Sequence, residues 1–223
     1  MAIKAKAPAS SGKSFVEQDV LEPSNYPARL VQVIDLGVQE QRPFEGKAKA
    51  PVNEIMTTYE LGTEFLKDED GNDIEDKPRW ISERFPLYSM ASDRARSTQR
   101  MVALDPKNEC DGDWVQVVGR PCLVAVVNNK SKATGKVYNN VGSTSPAIKG
   151  MPVPELVNPP KVFSLDDPDL EVWETIPEWI RNIILGNLEY EGSKLQKLLE
   201  PDAAPAAKAE PEVEEIDEGD VPF

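Results

Sequence analysis

Apolar and polar side chains alternate with a period of two along the first ninety residues, which predicts β-strands there. Three such segments are bounded by proline, glycine or aspartate: 26–39, 52–66 and 79–88. Gly37 interrupts the first segment and predicts a bulge, and the residues Asp-Gly-Asn at 70–72 predict a turn before the third. On the third strand the alternation separates a core face from an outer face, and Glu83 falls on the core face.

The apolar spacing becomes helical after the third strand. A helix is predicted over 91–104, with Ser92 as its N-cap. Gly119 and Pro121 predict a sharp bend within the strand that follows. The remaining predicted elements are this fourth strand over 114–128, a fifth strand over 136–141, a helix opened by a capping box at Thr175 and Glu178, and a last helix over 193–199.

This order of elements predicts a mainly β protein with added helices. Five strands with a helix between the third and the fourth are typical of the OB-fold, a five-stranded Greek-key barrel. An immunoglobulin-like sandwich or another compact β fold remains an alternative. The predicted organisation is a flexible arm over 1–24, the barrel with its C-terminal helices over 25–199, and a disordered acidic tail over 200–223.

The composition excludes several kinds of catalytic site. The 223 residues include no histidine and two cysteines, which excludes a Ser-His-Asp triad and metal sites built on imidazole. No group of residues resembles an activated nucleophile, so we expect a protein that is not an enzyme and uses no cofactor or metal. Sparse cysteine and the lack of an apolar run of about 18 residues predict a cytoplasmic protein without a membrane span.

Charge is distributed unevenly along the chain, whose formal net charge is −14. The segment 200–223 has nine acidic residues and one lysine, and its other residues are mainly Ala and Pro, so it cannot bury enough apolar surface to fold. In contrast, the segment 114–154 has five Lys and Arg residues and no acidic residue. Such a segment in an acidic protein predicts a positive face that meets an anion.

Binding of single-stranded nucleic acid without sequence preference needs aromatic rings for stacking and cations along the phosphates. Eight residues of the predicted body are candidates for these roles: Trp80, Arg84, Tyr88, Arg120, Lys130, Lys132, Lys136 and Tyr138. The first three share the outer face of the third strand, and the last two share a face of the fifth. The other tryptophans, Trp114, Trp173 and Trp179, are assigned to core or helix packing.

The chain ends in Asp217-Glu218-Gly219-Asp220-Val221-Pro222-Phe223. A terminal Phe joins an apolar ring to a carboxylate, which suits an apolar slot surrounded by cations on a partner. The last four residues resemble the Asp-Ile-Pro-Phe tip of bacterial single-stranded DNA-binding proteins and, more loosely, the acidic tails of tailed-phage single-stranded DNA-binding proteins. The resemblance covers about the last ten residues, with Val221 in place of Ile and Gly219 interrupting the acids.

The resemblance implies a phage-type protein that coats and protects single-stranded DNA during replication, recombination and repair. It also implies that Asp217, Glu218, Asp220, Val221, Pro222 and Phe223 recruit partner proteins, in the cytoplasm of a bacterial host if the gene is carried by a phage. Whether the protein is a monomer or a dimer stays open. Two alternatives remain: a recombination mediator that anneals single strands, and an acidic DNA mimic or structural phage protein.

Overall fold

A computed structural model describes residues 18–201, which form a mainly β fold. The strands are β1 (Ser24–Phe44), β2 (Lys47–Lys67), β3 (Asp73–Pro86), β4 (Pro121–Lys130), β5 (Val137–Pro146) and β6 (Lys161–Phe163). The helices are α1 (Arg96–Leu104), α2 (Leu170–Thr175), α3 (Glu178–Leu185) and α4 (Lys194–Leu199). The mainly β class and the helix between the third and fourth strands are therefore confirmed.

The strands form one sheet in the order β3-β2-β1-β4-β5. Neighbours in this order are antiparallel, and β6 adds to β1 in parallel. β1 is shared, because its residues 24–29 pair with β4 and its residues 28–44 pair with β2. A register shift at Gly37, whose φ is 73°, confirms the predicted bulge. Within residues 18–201 no strand ladder joins β3 to β5, so the sheet is not closed and the predicted barrel is not confirmed.

One face of the sheet holds the first apolar core. Apolar side chains on alternate positions of β1, β2, β3 and β4 pack there against α1, because burial removes them from water. The core includes Leu30, Val33, Ile55, Tyr59, Ile81, Phe85, Met101, Leu104 and Val124. The segment before β1 also packs here through Leu21, so the described body extends N-terminal of residue 25, into the predicted arm.

The opposite face of the sheet is covered by the C-terminal helices. Ile34 and Leu36 of β1 and Met56 of β2 pack there against Phe163 and the apolar faces of α2, α3 and α4. Trp173 belongs to this second core, as predicted, and its ring centroid lies 5.5 Å from that of Phe163.

The fifth strand, predicted to end at residue 141, continues to Pro146. Two predicted starts are also wrong, because turns occupy the residues before the element. The first helix begins at Arg96 rather than residue 91, since residues 89–95 form turns in which the Ser92 N–H donates to the Ser89 carbonyl at 2.8 Å. Residues 114–119 also form turns instead of the first half of a strand, and Gly119 has a φ of 84° before β4 begins at Pro121.

The predicted capping box at Thr175 and Glu178 is also wrong. The Thr175 hydroxyl instead donates to the Val172 carbonyl at 2.6 Å, within the last turn of α2. Pro177 stands at the N-cap position of α3 and makes no side-chain capping bond. The last helix is confirmed, because the Ser193 hydroxyl caps α4 by accepting the Gln196 N–H at 3.1 Å.

No helix within residues 18–201 combines the length and the apolar character needed to cross a membrane.

Candidate nucleic-acid interface

Trp80 and Arg84 lie on the outer face of β3, as the alternation predicts, while Ile81, Glu83 and Phe85 point into the core. The Trp80 side chain is 45 % exposed. Strand pairing places Trp80 opposite Glu60 of β2. The neighbour of the indole on the sheet is therefore Glu60, which was not identified from the sequence.

Glu60 is a buried carboxylate that fixes the orientation of Trp80. The Trp80 Nε1–H donates to Glu60 Oε2 at 3.0 Å. The same carboxylate accepts the Val157 N–H at 2.6 Å and the Asn158 side-chain amide at 2.7 Å. These bonds satisfy a carboxylate that is 2 % exposed and tie the segment after β5 to the sheet. Beside the ring lies a cavity of about 410 Å³ bordered by Leu66, Lys77 and Pro78.

Arg84 is paired with a second carboxylate of β2. Its Nε–H donates to Glu54 Oε2, and Glu54 Oε1 accepts the Gln41 side-chain amide at 2.8 Å. The Arg84 side chain remains 39 % exposed, so the ion pair offsets its charge but leaves part of the guanidinium accessible. Tyr88 follows β3, is exposed, and its backbone N–H donates to the Ser97 hydroxyl of α1 at 3.1 Å.

The β4–β5 hairpin carries four of the predicted site residues near its tip. Lys130, Lys132, Lys136 and Tyr138 all lie within nine residues and are exposed. The turn is closed by a hydrogen bond of 2.8 Å from the Ser131 N–H to the Lys136 carbonyl. Below the tip, Asn128 and Asn139 face each other across the strands and bind the Leu21 backbone at 2.9–3.1 Å. The hairpin is therefore anchored to the body on one face.

Arg120 precedes β4 rather than lying at a bend inside it. Its side chain binds the loop that follows α1. Its Nη1–H donates to Asp105 Oδ1 at 2.7 Å, and Asp105 Oδ2 accepts the Cys110 N–H at 2.7 Å. Burial raises the pKa of Asp105, but the hydrogen bonds from Cys110, Glu109 and Arg120 outweigh it and leave the pKa below its ordinary value. The Arg120 side chain is 29 % exposed and is directed to the end of α1.

The predicted residues do not form one patch. The tip of the β4–β5 hairpin lies at the end of the sheet where β1 begins, since Val126 pairs with Ser24. Arg84 lies farther along, opposite Met56, which in turn pairs with Ile34 of β1. The turn between β2 and β3, which carries Asp68, Glu69 and Asp70, lies at the same end of the sheet as the tip of the β4–β5 hairpin.

Several functional or structural roles were missed from the sequence. Glu60 and Glu54 gave no signal, because their partners are set by the pairing of β2 with β3. Trp179, assigned to packing, is 56 % exposed on α3, so that prediction is wrong. The predicted tail residues Asp217, Glu218, Asp220, Val221, Pro222 and Phe223 lie outside the described residues.

The cysteines of the described segment are buried, and burial raises the pKa of the Cys122 thiol to about 12. A thiol with that pKa is protonated at neutral pH and is a poor nucleophile. Among residues 18–201 no cluster of three or more Cys, Asp or Glu side chains has the arrangement of a metal site.

Comparison with protein-family models, curated proteins and solved structures found no match to this chain.

Proposed function

We propose that this protein binds single-stranded DNA without sequence preference and that its acidic tail recruits other proteins of DNA replication, recombination or repair. The observation that carries the proposal is the β4–β5 hairpin, where Lys130, Lys132 and Lys136 stand with Tyr138, which is 50 % exposed. Cations and an exposed ring on one short hairpin match the phosphates and the bases of an unpaired strand. Binding, not catalysis, is the proposed activity, and the bacterial cytoplasm is the proposed location.

We also propose that the body is an open variant of the OB-fold. Three sequential strands with a fourth that returns beside the first give the Greek-key order, and β3-β2-β1-β4 has that order. α1 stands between β3 and β4 in the chain, as in OB-folds. Sharing of β1 between β2 and β4, with bulges along its length, supports the same architecture.

Trp80 is proposed as a second stacking surface. Its hydrogen bond to Glu60 immobilises the ring in the free protein, so little side-chain entropy is lost when a base stacks on it. Lys77 and Asp76 both border the adjacent cavity, and Lys77 supplies a cation near that position. In this proposal Glu60 is a positioning residue.

The first experiment is a titration of the full chain with fluorescein-labelled oligo-dT and with a duplex of equal length at two salt concentrations. We expect binding to the single strand that weakens as salt rises, because cations on the protein displace counterions. Lys130→Ala with Lys132→Ala should reduce the slope of log K against log salt by about 1.4. Lys107→Ala with Lys197→Ala is the control, because both lysines are exposed and lie on the loop after α1 and on α4. Absence of binding to the single strand would refute the proposal.

The second experiment addresses the tail. Phe223→Ala should leave affinity for oligo-dT unchanged and abolish capture of a partner by the full chain. Simultaneous loss of DNA binding would contradict a separate role for the tail.

One observation favours the DNA-mimic alternative. The turn between β2 and β3 and the first residues of β3 present exposed carboxylates at Glu69, Asp70, Asp73, Glu75 and Asp76. A mimic would use them to bind a basic enzyme. Such a protein would fail to bind oligo-dT and would compete with DNA for the enzyme. The titration above distinguishes the two functions.

A further inference from the structure

The hairpin between β1 and β2 projects beyond the rest of the sheet. β3 ends at Pro86, which pairs with Glu54, whereas the ladder of β1 with β2 continues to Phe44 and Lys47. All ten residues from 42 to 51 are exposed. This outer part of the hairpin contributes no side chain to either core, so apolar burial does not account for it.

The turn at the tip gives the hairpin a defined shape. Glu45 and Gly46 have φ values of 51° and 74°, the positive values that a two-residue type I′ turn requires. The strands on either side stay paired, with Gln41 opposite Lys49. A two-residue turn that matches the twist of its strands fixes the direction in which the tip points.

The tip carries an exposed aromatic ring and three cations. Phe44 is 60 % exposed, and Lys49 Nζ lies 4.9 Å from the centroid of its ring. This cation–π contact orients the ring and leaves much of it accessible to solvent. Arg42 lies two residues before Phe44, and Lys47 pairs with Phe44 across the turn. Glu45, in the turn itself, is the one acidic residue between positions 41 and 53. The ring and the cations reproduce at this tip the combination found on the β4–β5 hairpin.

The hairpin is continuous with the outer end of β3. A cavity of about 410 Å³ lies at its base, and Arg42 and Lys49 line it together with Arg84. The acidic residues of this cavity are Glu40 and Glu54, and Glu54 is already bound to Arg84. The cavity thus connects the tip to Arg84, one of the residues that the sequence predicts to bind DNA.

We infer that the β1–β2 hairpin is an additional single-strand contact, in which a base stacks on Phe44 while Arg42, Lys47 and Lys49 bind phosphates. The inference rests on the proposed function and extends it to residues that lie between the strands predicted from the sequence. Exposed aromatic rings among cations can stack on unpaired bases of any sequence. In a duplex the faces of the bases are stacked on each other and are not accessible to such rings. A ligand held at both hairpins would occupy a longer stretch of DNA than one held at the β4–β5 hairpin alone.

The test compares two double variants of equal charge by titration with oligo-dT. Lys47→Ala with Lys49→Ala should weaken binding about 25-fold at a salt concentration of about 0.1 M, since each lost contact removes about 0.7 from the salt slope. Lys107→Ala with Lys197→Ala should weaken it far less. Phe44→Ala should weaken binding about tenfold, as expected for one lost stacking contact, and Phe44→Trp should restore it. The hairpin variants should also occlude fewer nucleotides per protein.

The outcomes separate this inference from the proposed function. Wild-type binding with equal affinities of the hairpin and control variants would overturn the inference and leave the proposed function standing. No binding by the wild-type chain would overturn both. In another outcome, the Phe44 variants lose more affinity for an acidic protein than for oligo-dT. That result would overturn the inference and indicate that the hairpin binds protein. Circular dichroism of each variant checks the fold, which should be unchanged because these side chains lie outside both cores.

Discussion

Arg100 of α1 and Glu83 of β3 form a buried bidentate ion pair, with Nε–Oε1 and Nη2–Oε2 distances of 2.7 and 3.0 Å. The same guanidinium donates to the Gly142 carbonyl of β5 at 3.3 Å, and Tyr59 donates to Glu83 at 3.4 Å. β3 and β5 are the two outermost strands of the sheet. One side chain of α1 therefore connects both edges where no strand ladder does.

Arg100→Met should destabilise the fold by about 3–5 kcal/mol, because it leaves the Glu83 carboxylate buried without its partner. The measurement is urea unfolding followed by circular dichroism. Arg96→Ala, at an exposed position of the same helix, is the control and should cost well under 1 kcal/mol. Adding Glu83→Leu to Arg100→Met should recover part of the loss, since the uncompensated charge is then removed. Equal stabilities of Arg100→Met and Arg96→Ala would contradict the role assigned to the pair.

Trp80→Ala should lower affinity for oligo-dT by roughly 1–3 kcal/mol, the range for one base stacked on one aromatic ring. Trp179→Ala is the matched control, because Trp179 is also exposed but lies on α3, outside the proposed site. Fluorescence anisotropy at one salt concentration measures both variants. A similar loss of affinity in the two variants would show that Trp80 has no specific role.

Stability below about pH 4 should reveal the role of Asp105. Because hydrogen bonds lower its pKa in the folded protein, ionised Asp105 stabilises the fold above the unfolded pKa. That stabilisation is lost as the pH falls through the lower folded pKa. Asp105→Asn should therefore lower the melting temperature at pH 7, and the difference from wild type should shrink towards pH 2. Asp167→Asn, an exposed control, should show no such trend.

Truncation after Pro201 should tighten binding to oligo-dT at low salt, because it removes eight acidic residues and one lysine. The cut preserves Glu200, whose backbone N–H donates to the Gln196 carbonyl at the end of α4. At about 1 M salt the Debye length falls to about 3 Å, so the two chains should then bind equally. Identical affinities at low salt would show that the negative charge of the tail does not weaken DNA binding.

Features that depend on neighbouring residues were predictable from the sequence. Alternation identified the two faces of β3, Gly37 identified a bulge, and the last helix was predicted over 193–199, close to α4. Each follows from the conformational preference of one short segment. At Ser92, a backbone turn with Ser89 occupies the residues before α1. At Thr175, the hydroxyl donates to a carbonyl of α2 instead of capping α3, since Ser and Thr side chains also bond to nearby backbone groups outside caps.

The linear order of residues determined the mainly β class, how charge is divided between body and tail, and which aromatic rings are candidates for stacking. Folding decided which of these groups meet. Glu60 binds Trp80 and Arg100 binds Glu83 because antiparallel pairing and helix packing bring together residues 17–20 positions apart. β6 joins β1 across more than 120 residues. Such contacts depend on strand register and on the packing of both faces of the sheet, which are properties of the whole chain and not of any segment.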